Sequence, residues 1–180
     1  VPAAFYIEQC RAIERYKKTP EVRQIGRFGA PPRPDDIASL LLEEADVDDL
    51  RSCRPGDCGL KLDADGIQKL AQRNAQIPTA SAAIRPYLAA YAARYMTRGN
   101  SALMEYKSSS KPRSLATELD TIMNRSAYLR QRWPALFNAV ANYSGSLTPD
   151  LDGFLYWSKE KIGPRAVVSL THVIVSPARD

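Results

Sequence analysis

Two runs close to the C-terminus, Phe154-Leu-Tyr-Trp-Ser158 and Ala166-Val-Val-Ser-Leu-Thr-His-Val-Ile-Val175, are rich in β-branched and aromatic residues and constrain this chain most. Such runs favour strands, and two of them joined by the short link Lys159–Arg165 read as an antiparallel hairpin. An isolated hairpin is marginal in water, so other elements must cover it. In the second strand Val167, Ser169, Thr171 and Val173 share one face, while Val168, Leu170, His172 and Ile174 share the other. The only histidine of the chain therefore lies on an apolar face.

The rest reads mainly as helix. Between Phe5 and Tyr16 the residues Ile7, Cys10, Ile13 and Tyr16 recur every three positions, which favours a helix over a strand. Glu21 to Phe28 alternates irregularly and runs into the breaker Gly-Ala-Pro-Pro-Arg-Pro at 29–34. Asp35 and Asp36 then precede Ile37, Leu40 and Leu41 as an N-cap feeding a short amphipathic helix, and a second short helix begins near Asp46 with Val47 and Leu50. Asp63 caps a helix carrying Ile67, Leu70 and Ala71. The Ala- and Tyr-rich stretch 79–98 is helical, with Pro86 either at a first turn or kinking a longer helix. Further helices are expected over 101–107, 114–124 and 133–143. The expected class is α+β, a single domain with a predominantly helical middle and a C-terminal antiparallel β-hairpin. Its parts are a basic segment 1–34, an acidic segment with a cysteine turn 35–62, a helical region 63–145 and the hairpin 150–177.

At 180 residues, with 44% apolar and 25% charged side chains, the chain is long enough for one sizeable core. Roughly 70% of the unfolded surface is buried at this size. The net charge of +5 invites a nucleic-acid reading, but its distribution argues against one. Residues 1–34 carry +4, residues 35–50 carry seven acids and no base, and 51–180 carry +8, spread singly. Acids crowd the expected helix N-termini, where they complement the helix dipole, in preference to a metal site or a surface for a basic partner. No helix-turn-helix, RNP or KH pattern, no P-loop and no G-x-G-x-x-G occurs, so neither nucleic acid nor a nucleotide cofactor is expected. No apolar run is long enough to span a membrane.

Cys53 and Cys58 flank a Pro-Gly turn that brings them within reach of a bridge, while a reduced pair fits equally well. A zinc set of Cys10, Cys53, Cys58 and His172 is disfavoured, because C-x4-C is loose spacing and one histidine makes no second pair. No metal or other cofactor is expected.

Three stretches, IGRFGAPPRPDDIASL (25–40), CRPGDCGLKL (53–62) and FLYWSKEKIGPRAVVSLTHVIV (154–175), together resemble a family of uncharacterised exported bacterial proteins. The resemblance implies a periplasmic or secreted setting, and with it a Cys53–Cys58 bridge. It carries no catalytic residues. Members of that family continue past the point where this chain stops at Pro177-Ala-Arg-Asp180, which implies a shortened form whose last strand lacks a neighbour.

The leading expectation is an exported binding protein for an apolar or lipid-like small molecule. Tyr87, Tyr91 and Tyr95 recur at helical spacing and, with Trp157 and His172, are the candidate lining. The alternative is a hydrolase with His172 as general base and Glu160 or Tyr156 assisting. No G-x-S-x-G elbow accompanies them. A structural or interaction module without a ligand is the third class. The sequence leaves the oligomeric state open.

Overall fold

A computed structural model describes residues 3–54, 57–58, 60–71, 76–107 and 111–176. Helices α1 (Ala3–Arg11) and α2 (Ile13–Tyr16) lead into strand β1 (Val22–Arg27), and a 3-10 turn at Pro34–Ile37 precedes α3 (Glu44–Ser52). Then come α4 (Ala64–Ala71), the long α5 (Ile77–Arg98), the short strands β2 (Glu105–Tyr106) and β3 (Arg113–Ser114), and helices α6 (Leu115–Arg125), α7 (Ala127–Arg132) and α8 (Pro134–Ala141). The chain closes on β4 (Asp152–Ile162) and β5 (Arg165–Val175). The class is α+β, as the residue pattern predicts.

The hairpin is longer than expected. The stretch from Lys159 to Ile162, which reads as loop, continues β4, and the turn shrinks to Gly163-Pro164. Gly163 takes φ +63°, a left-handed conformation that suits glycine at a tight hairpin turn. The sheet also has a third member: β1 pairs antiparallel with β4, giving the order β1-β4-β5. Residues 101–107 are not one helix either, because a 3-10 turn ends at Ala102 and Glu105–Tyr106 pairs with Arg113–Ser114. Pro86 lies inside α5, which runs on through it.

Both faces of β4 are covered. Leu155 and Trp157 join the main core with Ile37, Leu40, Val47, Ile67 and Leu88, and Val168 and Leu170 of β5 pack on it. On the opposite face Phe154 and Tyr156 pack with Ile13 beneath the N-terminal helices. The acids of the 35–50 band are largely occupied by partners within the fold. Asp36 accepts from the Gly29 and Arg33 amides, Asp46 accepts from the Glu43 amide, and Asp49 pairs with Arg165. Among the described residues no cluster of metal-ligating side chains occurs. Cys53 and Cys58 form a disulfide, both half-cystines buried. The Pro55-Gly56 turn between them lies outside the described residues. No helix among those described is long and apolar enough to cross a membrane.

Candidate functional site

An irregular segment, Ser39–Glu43, is trapped between the sheet and α5. Leu40 is fully buried, and a buried backbone needs partners for every N–H and C=O. Side chains supply them. Gln24 of β1 donates to the Ser39 carbonyl at 2.6 Å and accepts from the Leu41 amide at 3.0 Å. Arg85 of α5 donates twice to the Leu40 carbonyl, at 2.9 and 2.7 Å. Ser81 Oγ accepts from the Leu42 amide at 2.9 Å and donates to the Ile77 carbonyl. Lys159 Nζ, on a side chain 6% exposed, donates to the Leu41 carbonyl at 2.7 Å and lies 3.3 Å from Glu43. Trp157, with no exposed surface, donates from Nε1 to the Asp36 carbonyl at 2.8 Å. This side-chain brace is structural, and it assigns Trp157 to the core.

The tyrosine row on α5 divides among three surroundings. Tyr87 donates to Asp63 Oδ1 at 2.8 Å, and Asp63 also caps α4 by accepting from the Gly66 amide at 2.7 Å. The Tyr87 ring lies where a Cβ on Gly66 would stand 2.5 Å from Cζ, so only glycine lets α4 and α5 approach this closely. Tyr91 accepts at its hydroxyl from the Met104 amide at 3.3 Å. Tyr95 shares a 3.0 Å hydrogen bond with His172 Nδ1. Burial pushes the pKa of all three phenols up, so they stay neutral.

His172 packs edge-on to Tyr95 and 4.7 Å, centre to centre, from the Tyr143 ring. Burial pushes its pKa down to about 4, because a charged imidazolium would lose its water there. With Tyr95 as donor to Nδ1, the ring hydrogen sits on Nε2, which is buried and has no partner among the described residues. Tyr156 and Glu160, the assistants expected for a catalytic His172, stand on the other face of the sheet. Their cross-strand neighbours are Thr171 and Val167, whereas His172 faces Leu155. There they meet Lys17, which contacts Glu160 at 2.6 Å and Tyr156 at 3.3 Å. Lys17 and the Ser158 hydroxyl hold the Glu160 pKa below its ordinary value. The structure does not bring the three together.

An open groove does exist beside the tyrosine row. It runs between α4 and α5, has a volume of about 510 Å³, and is floored by Leu70, Ala83, Pro86, Tyr87 and Ala90. Lys69 and Arg94 stand along it. Of the five expected lining residues only Tyr87 borders this groove. Pro86 and Ala90 are the signal in the sequence: small or unbranched residues on the exposed side of a buried tyrosine helix leave a channel that a larger side chain would fill. Comparison with models of known protein families, with curated proteins and with solved structures finds no match for this chain.

Proposed function

We propose that this is a non-catalytic binding protein for an elongated, largely apolar small molecule with an anionic end, held in the groove between α4 and α5. The carrying observation is the groove's lining: five apolar or aromatic residues on its floor with two cations alongside. Apolar floor and sparse polar groups are the usual make-up of a small-molecule site. Lys69 and Arg94 each have a carboxylate near, Asp65 at 2.7 Å and Asp63 at 3.8 Å, and the long Arg94 contact leaves its guanidinium the better anion partner. The buried disulfide supports an oxidising, exported setting, periplasmic or secreted. A neutral His172 on the opposite sheet face from Tyr156 and Glu160 favours binding over hydrolysis.

Isothermal titration calorimetry with dodecanoate tests this. The wild type should bind saturably with a negative heat-capacity change, the mark of apolar burial. Ala90→Trp, at an exposed helix position, fills the groove and should weaken binding at least about tenfold, roughly 1.4 kcal/mol. Binding that is absent, or that Ala90→Trp leaves unchanged, rejects the proposal.

A further inference from the structure

The outer edge of β5 is open: β5 pairs with β4 on one side, and among the described residues no other backbone group bonds to it. The direction of each β5 residue follows from bonds elsewhere in the sheet. The Leu155 carbonyl accepts from Phe28 and the Lys161 amide donates to Glu21, so odd-numbered residues of β4 point toward β1. Even-numbered residues of β4 then point toward β5, where their partners are Val173, Thr171, Ser169, Val167 and Arg165. Ala166, Val168, Leu170, His172 and Ile174 are left to present their N–H and C=O groups outward. A long edge of this kind, without proline and with its only charge at Arg165, is a template for another strand.

The sequence of that edge is complementary to itself. Laid antiparallel on a copy about Leu170, Val167 meets Val173, Ser169 meets Thr171, Ala166 meets Ile174, Val168 meets His172, and Leu170 meets Leu170. Apart from Val168 against the neutral His172 ring, apolar residues face apolar ones and hydroxyls face hydroxyls, the pairings that stabilise adjacent strands. The same register places outward-pointing residues opposite one another, as antiparallel hydrogen bonding requires, and closes about ten backbone hydrogen bonds. We infer that the β5 edge is a dimerisation surface, on which a second copy of this chain pairs antiparallel about Leu170 and joins the two three-stranded sheets into one.

Sedimentation equilibrium of the chain tests the inference. The expected mass is twice 20.0 kDa at high concentration, falling toward 20.0 kDa on dilution. Ser169→Lys with Thr171→Lys sets like charges directly across the two-fold axis and should give a monomer with unchanged Trp157 fluorescence. Mixing it with the corresponding Glu pair, S169E/T171E, should restore dimers made of one chain of each kind. A wild type that stays at 20.0 kDa overturns the inference and leaves the edge to some other strand; a dimer indifferent to both charge pairs overturns it equally.

Discussion

At the scale of single residues, the most informative group is His172. Its pKa falls from an ordinary 6.5 to about 4 on folding because the ring is taken out of water. The unfolded chain therefore binds more protons than the folded one between those values, and stability rises with pH across that window and is lost as pH falls through it. The ring is not wholly shielded, so the full shift overstates the effect; on the order of 2 kcal/mol is expected. Urea unfolding at steps from pH 7 to pH 4.5 should show this slope, and His172→Phe should flatten it. Glu160, with its pKa lowered from 4.5, adds its own acid loss from about pH 4.5 downward, overlapping only the foot of that window. An unchanged slope in His172→Phe removes the account of the buried neutral ring. Ser81 and Lys159 give a second prediction. Ser81→Ala leaves the buried Leu42 amide unpaired and Lys159→Met leaves the Leu41 carbonyl so, each costing about 1–3 kcal/mol. Lys161→Met, exposed two residues further along the strand, should stay within about 0.5 kcal/mol of wild type.

At the scale of elements, the disulfide carries the prediction. It closes a loop of sequence separation 5 between α3 and α4, with both half-cystines in the main core. Replacing the pair by C53S/C58S should cost about 2 kcal/mol in chemical denaturation, chiefly by freeing the unfolded chain. Equal stability with and without reductant would contradict a structural bridge. The capped helices were legible because Asp63, Asp46 and Ser114 act within one turn of themselves. The hairpin was legible because β-branched residues mark it directly. Strand β1 was not: its pairing with β4 carries an irregularity between Val22 and Gln24, and that breaks the alternation a strand would show. The separation of Tyr156 and Glu160 from His172 was hidden for a related reason. Register decides which residues share a face, and it depends on a turn as short as Gly163-Pro164, which places Lys159 to Ile162 inside the strand.

At the scale of the whole molecule, the sheet divides the labour. One face of β4 meets the N-terminal helices, the other builds the main core, and α5 carries the tyrosines from that core out to the groove beside α4. Aromatic spacing in the sequence pointed to α5 but could not separate a core face from a groove wall. Residues distant in sequence make that separation: Asp63 draws Tyr87 onto α4, and His172 draws Tyr95 onto the sheet. The brace around Ser39–Glu43 was equally invisible, because Lys159 and Arg85 become buried only when that segment supplies carbonyls to meet them. Native mass spectrometry of the protein as purified from its producing cell tests the binding role most directly. The account predicts a small-molecule adduct that dodecanoate displaces and that is missing from Ala90→Trp. A spectrum of the bare chain, or an adduct carried equally by Ala90→Trp, would contradict it.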